Sequence, residues 1–84
     1  MYSETTLSAM SRFYEIFEQL RQEKRIKNVE EFCTKHRIDK RHLYAQKQDL
    51  SKGYFEIGWI VPLVQEYCVS SRWILTGSGN KFVE

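Results

Sequence analysis

The sequence has little of what breaks a helix or cross-links a chain. Among 84 residues there are one Pro and four Gly. A protein built of short strands needs turn residues at regular spacing, so this scarcity favours helices. The two cysteines, Cys33 and Cys68, stand in apolar-rich stretches with a helical pattern. We therefore expect both to be buried, reduced thiols in a reducing compartment.

Long hydrophobic runs are also missing. No run approaches the length of a membrane span, and no signal-peptide pattern follows Met1. These absences predict a cytoplasmic protein that does not enter a membrane. Hydrophobic residues still make up 42% of the chain and aromatic residues 14%. That content is enough for one small folded domain rather than a disordered segment.

No motif of recognised spacing predicts a metal site or catalysis. Cys33-x-x-His36 could form half of a zinc site, but no second half follows. Gly77-Ser78-Gly79 is not a phosphate loop, because no strand precedes it and no Gly-Lys-Ser follows. We expect no metal, no cofactor and no enzymatic activity.

The basic residues are concentrated in one segment. Residues 35–52 contain six basic and two acidic residues, a balance of +4, although the whole chain carries only +2. The remaining residues contain seven basic and nine acidic groups, a balance of −2. A local excess of positive charge suits an anionic partner, and it is also typical of a solvated helix face.

Apolar residues recur at helical spacing near the N-terminus, and this predicts an amphipathic first helix over residues 6–24. Two further helix starts follow. Asn28 is a strong N-cap, and Glu31 three residues later would complete a capping box. Asp39 is a second N-cap, flanked by Ile38 and Leu43 as a hydrophobic staple. The helix between these caps has room for two turns only, which is typical of a helix-turn-helix.

The C-terminal half predicts two more helices after a loop over residues 49–57. Pro62 is tolerated best in a first turn, so the fourth helix should begin near Gly58 or be kinked at Pro62. A fifth helix should run from Ser70 to Gly77, since Gly suits a left-handed C-terminal residue.

The chain should therefore be one all-α domain over residues 1–77. Residues 78–84 are expected to form a frayed tail.

From about Ile26 to Gly79 the sequence resembles the lambda-repressor-like helix-turn-helix domains of phage repressors and their bacterial relatives. The stretch Val69-Ser70-Ser71-Arg72-Trp73-Ile74-Leu75-Thr76-Gly77-Ser78-Gly79 is similar to the ending V-S-x-x-W-L-L-T-G-x-G that is frequent in this group. Asn28-Val29-Glu30-Glu31-Phe32-Cys33 and Ile38-Asp39-Lys40-Arg41-His42-Leu43 resemble the openings of its second and third helices. The resemblance implies a compact bundle of five helices. Four positions depart from the family pattern: Val29, Arg37, Gln46 and Asp49.

The resemblance also implies a DNA-binding site. In this group the third helix lies in the major groove, and its N-terminal half reaches base edges. Lys40 and Arg41 would then contact bases, and Tyr44 and Lys47 would follow on the same face. The residues expected to contact DNA are Asn28, Arg37, Lys40, Arg41, Tyr44, Lys47 and Lys52. His36 is expected to be a solvated turn residue and His42 to be structural.

The function expected from this resemblance is sequence-specific binding of double-stranded DNA by a transcriptional regulator of the phage or mobile-element repressor type. A single module has a small footprint, so we expect a homodimer, formed through Trp73, Ile74 and Phe82. The alternative is a protein-interaction module, such as an antitoxin-like component, with secondary or no DNA binding and a regulatory protein partner. An exposed apolar patch on helices four and five would favour that alternative.

Overall fold

A computed structural model describes residues 2–83 and contains five α-helices. The helices are α1 (Glu4–Gln22), α2 (Val29–His36), α3 (Lys40–Gln48), α4 (Ile60–Tyr67) and α5 (Ser71–Thr76). A 3-10 turn over Ile57–Trp59 leads directly into α4. The expected all-α bundle is confirmed. No helix within the described residues is long and apolar enough to cross a membrane.

Side-chain caps set the start of four of the helices. α1 begins two residues before the predicted start because Ser3 Oγ accepts a hydrogen bond from the Thr6 N–H at 3.2 Å. Asn28, Asp39 and Ser70 cap α2, α3 and α5 as the sequence predicts. Only half of the predicted capping box forms. The Asn28 side chain accepts the Glu31 N–H, but within residues 2–83 the Glu31 carboxylate accepts no hydrogen bond from the Asn28 N–H.

The long helix α1 forms the centre of the core. Phe13 is completely buried and its ring contacts those of Phe17, Phe55 and Trp59. α1 also holds the end of α5, because Arg12 donates hydrogen bonds to two of its last carbonyl groups at 2.8 and 3.0 Å. These carbonyl groups have no intrahelical donor, so a charged side chain that bonds them stabilises the end of the helix.

Of the two predictions for Pro62, the structure agrees with a position in the first turn of α4. Pro62 is the third residue of α4 and lies in its first turn, where a missing N–H removes no intrahelical bond. The helix ends at Cys68, which has a positive φ of 58°. Cys68 is exposed and only Cys33 is buried, so the expectation of two buried thiols is wrong for Cys68.

The C-terminal segment does not fray over residues 78–83. Phe82 pairs with Val69 in an isolated antiparallel bridge, in which Ser70 N–H donates to the Lys81 carbonyl at 2.8 Å. Lys81 Nζ lies 2.9 Å from a carboxylate oxygen of Glu15 on α1. The expected frayed tail is therefore wrong for these residues, because backbone pairing and an ion pair tie them to the bundle.

The residues expected to form a dimer interface belong to the core of the monomer. Ile74 is completely buried and Trp73 is 8% exposed. Phe82 is half-buried against the core, and the Arg25 guanidinium lies 5.4 Å from the centre of its ring. Trp73 and Ile74 leave almost no surface to a partner, so of these three side chains only Phe82 could contact a second copy, and the homodimer stays a prediction.

Candidate nucleic-acid interface

The turn between α2 and α3 is three residues long and is fixed by its backbone. Arg37 has φ 58° and ψ 42°, in the left-handed region that favours Gly. The next residue, Ile38, donates its N–H to the Cys33 carbonyl at 2.8 Å and buries its side chain. These contacts hold α2 and α3 in one unit although Arg stands where the resembled family has Gly. The Arg37 side chain is free of the core and exposed.

α3 presents one face to the core and another to solvent. Leu43 is 1% exposed and Gln46 is completely buried. The buried Tyr14 hydroxyl of α1 donates to the Leu43 carbonyl at 2.7 Å, and burial raises the pKa of this hydroxyl above its usual value. α3 is therefore fixed against α1 by its buried face. Its opposite, solvent-exposed face, which we call the open face, is accessible to a partner.

The first turn of that open face carries two exposed cations, Lys40 and Arg41. The Arg41 side chain is 91% exposed, and its Nε lies 3.7 Å from the Asp39 carboxylate. Asp39 Oδ1 accepts the Arg41 backbone N–H at 2.9 Å, which lowers the pKa of this carboxyl. Within residues 2–83 Lys40 forms no ion pair. Two cations thus stand at the positive end of a helix dipole, where a cation is unfavourable without an outside partner.

The expected stripe of Arg41, Tyr44 and Lys47 is only partly formed. Tyr44 is half-buried and packs against the core. Lys47 lies six residues from Arg41, which is about 240° around a helix. Its ammonium group turns towards α1 and lies 3.4 Å from a Glu18 carboxylate oxygen. Lys47 therefore does not share the open face with Arg41.

Sequence reasoning missed Gln48 as a residue of this face. Gln48 is seven residues from Arg41, which places the two side chains within about 20° of each other around the helix. It is exposed in the last turn of α3. Counting seven residues instead of six would have identified it. An amide at this position can bond to adenine edges or to phosphate.

The turn after α3 carries Lys52. The Asp49 carboxylate accepts hydrogen bonds from Ser51 N–H and Oγ at 3.0 and 2.6 Å, which lowers the pKa of Asp49. Lys52 N–H donates to the Asp49 carbonyl at 3.1 Å, and the Lys52 side chain is exposed. The turn continues to Tyr54, whose ring stacks on that of His42 with centroids 4.1 Å apart and planes 3° apart. His42 is thus a contact between α3 and the turn, as expected of a structural residue.

Asn28 is exposed at the start of α2, but its cap occupies the donors that a phosphate would use. Asn28 Oδ1 accepts the N–H groups of Glu30 and Glu31 at 2.9 and 3.2 Å. A phosphate at this end would compete with the Asn28 side chain for those two donors. A contact made by Asn28 would therefore use its amide group.

His36, the last residue of α2, is not a solvated turn residue. Its side chain is 17% exposed and its ring lies 4.7 Å from that of Phe32. His36 Nε2 is 2.8 Å from a Glu66 carboxylate oxygen. Glu66 also accepts a hydrogen bond from Lys35 Nζ at 2.7 Å, which lowers the pKa of this carboxyl. Lys35 and His36 therefore join α2 to α4 instead of extending the open basic surface.

Among residues 2–83, no group of three or more Cys, His, Asp or Glu side chains could hold a metal ion. No family model, no curated protein and no solved structure matches the chain. The geometry of α2, α3 and the two turns beside them is therefore the basis for a functional proposal.

Proposed function

We propose that the protein binds double-stranded DNA sequence-specifically through the open face of α3 and acts as a transcriptional regulator. The observation that carries the proposal is the pair Lys40 and Arg41. Both are exposed in the first turn of a helix that is fixed from behind by α1. Arg is suited to a bidentate grip on guanine, and Lys can reach the same acceptors or a phosphate. The likeness to lambda-repressor-like domains supports the same geometry, in which the N-terminal half of the third helix meets base edges.

The ion pairs decide which cations are available to DNA. Lys35 is paired with Glu66 and Lys47 with Glu18, at 2.7 and 3.4 Å. Contact of either lysine with a phosphate would compete with its carboxylate partner. Lys40 and Arg41 have no such competitor beyond Asp39, whose nearest approach to Arg41 is 3.7 Å. The proposal therefore assigns the base contacts to Lys40 and Arg41, with Arg37 and Lys52 on the phosphate backbone.

The test is the salt dependence of binding to a pool of random DNA duplexes, followed by fluorescence anisotropy. Lys40→Ala with Arg41→Ala should relax the sequence preference among sites selected from that pool, and should reduce the slope of log affinity against log salt by about one unit if Lys40 reaches a phosphate. Lys35→Ala with Lys47→Ala is the matched control, since it removes the same charge from paired positions. The control should change the slope by much less. Equal losses in the two variants would show that binding follows net charge and not α3.

The absence of any binding at low salt would reject the DNA-binding proposal itself. If binding is found, selection of sites from the same pool would identify the operator.

One observation favours a second function, recognition of a protein. Ile57, Val61 and Leu75 are 66%, 43% and 43% exposed. Ile57 of the 3-10 turn and Leu75 of α5 line a shallow apolar pocket with Phe55 and Ala9, and Val61 lies on α4, one turn after Ile57. We propose this apolar patch as the surface on which a second copy of the chain docks. Sedimentation of the Ile57→Ser variant beside the unaltered protein tests the homodimer, which is rejected if both are monomers at high concentration and on DNA.

A further inference from the structure

Gln46 is a polar residue in a fully buried position of α3. Its side chain is 0% exposed and both ends of its amide have partners. Nε2 donates to the Leu50 carbonyl at 2.8 Å, and Oε1 accepts the Tyr54 N–H at 3.0 Å. Nε2 also lies 3.3 Å from the sulfur of Met10. A buried amide satisfied at both ends fixes the groups that it bonds, because an unpaired partner would cost free energy.

The two partners of Gln46 are the two ends of one turn. Leu50 begins the turn after α3, and Tyr54 precedes the 3-10 turn. Between them lies Lys52, whose side chain is exposed. The ring of Tyr54 stacks on His42, four residues before Gln46 on α3. The turn therefore runs back along α3 and is attached to it at three points.

We propose that Gln46 is a positioning residue for DNA recognition. It holds the turn over residues 49–54 against α3, so that Lys52 meets a phosphate of the same duplex whose bases face Lys40 and Arg41. This inference rests on the proposed function. A turn that is fixed before binding loses little conformational entropy when DNA binds. A mobile turn loses more, and this loss lowers the affinity for DNA.

The first arm of the test measures the turn without DNA. Gln46→Met removes both hydrogen bonds and keeps an unbranched side chain of similar length. Met10→Leu is the matched control, because it removes only the contact of Gln46 Nε2 with the Met10 sulfur and leaves the bonds to Leu50 and Tyr54. We expect the Tyr54 amide to exchange with solvent at least ~10-fold faster in Gln46→Met, whereas the Leu43 amide changes little. Unchanged protection of the Tyr54 amide would overturn the proposal.

The second arm is a double-mutant cycle on DNA affinity. Lys52→Ala alone should lower the salt slope by about one unit, which corresponds to one phosphate contact. Gln46→Met alone should cause a similar loss, and adding Lys52→Ala to it should cause almost no further loss. Additive losses would show that Gln46 does not act through Lys52, and would overturn the proposal.

Two further outcomes can be distinguished from each other: failure of the unaltered protein to bind DNA, and failure of Gln46→Met to fold. If the unaltered protein does not bind DNA, the proposed function and this role of Gln46 both fail, while exchange of the Tyr54 amide still shows whether Gln46 fixes the turn. If Gln46→Met does not fold, insertion of two glycines after Lys52 loosens the turn without changing the core. That insertion should lower the salt slope by the same single unit, and an unchanged slope would overturn the proposal.

Discussion

The bond between Tyr14 and Leu43 is expected to contribute measurably to stability. Tyr14 is 9% exposed, and its hydroxyl donates at 2.7 Å to a carbonyl group of α3. Burial raises the pKa of Tyr14, so the hydroxyl stays protonated and remains a donor at neutral pH. Tyr14→Phe removes the donor and keeps the ring. A buried neutral hydrogen bond contributes about 1 kcal/mol, so the free energy of unfolding should fall by that amount.

Thermal unfolding followed by circular dichroism measures this loss. For a domain of this size, about 1 kcal/mol corresponds to a fall in Tm of about 4–8 °C. Tyr67→Phe is the matched control, since Tyr67 is half-buried and its hydroxyl donates no hydrogen bond within residues 2–83. Its Tm should change by less than about 2 °C. Equal shifts in the two variants would refute the argument that the hydroxyl of Tyr14 ties α3 to α1.

Two further predictions concern the ends of helices and the ion pairs between them. Gly77→Ala should lower the free energy of unfolding by about 1–2 kcal/mol, because Gly77 has φ 79° and a Cβ would lie 3.2 Å from Arg12 Nη1. Gly58→Ala is its control, since a Cβ there meets nothing within 4 Å; equal losses in urea titration would contradict the explanation. The lowered pKa of Glu66 stabilises the fold above the carboxyl's unfolded value of 4.5, and this contribution is lost as pH falls through the lower folded value. Glu66→Gln should therefore be less stable than the unaltered protein at pH 7 and nearly equal to it at pH 2, and a difference that persists at pH 2 would contradict the assignment.

The parts of the fold predicted from sequence depend on local chemistry. Asn28, Asp39, Ser70 and Gly77 each begin or end a helix where the sequence places them. A cap is made between residues two or three apart, so its partners are known from the sequence alone. Ser3 caps α1 by the same chemistry. The hydrophobic pattern did not predict that α1 starts at Glu4, because the side chains of its first turn are mostly exposed.

Several of the errors involve partners that are distant in the sequence. Lys47 is turned to Glu18 on α1, and His36 is covered by Glu66 on α4. Phe82 is tied down by its pairing with Val69. No spacing within one helix predicts such contacts, since they exist only when the helices have packed. Gln46 is the same kind of case, because the partners that satisfy its buried amide include Tyr54, which is outside α3.

These distant contacts reduce the number of basic residues that are available to the candidate site. The basic excess over residues 35–52 includes two lysines that are paired with carboxylates on α1 and α4. Within residues 2–83, the basic side chains of that segment that have no carboxylate partner on another helix lie on the two turns and in the first turn of α3: Arg37, Lys40, Arg41 and Lys52. The stack of Tyr54 on His42 attaches the second turn to the N-terminal half of α3, the half that carries Lys40 and Arg41. A helix that enters the major groove meets bases with that half. If the proposed function holds, affinity should depend on this end of α3 and much less on the net charge of the segment.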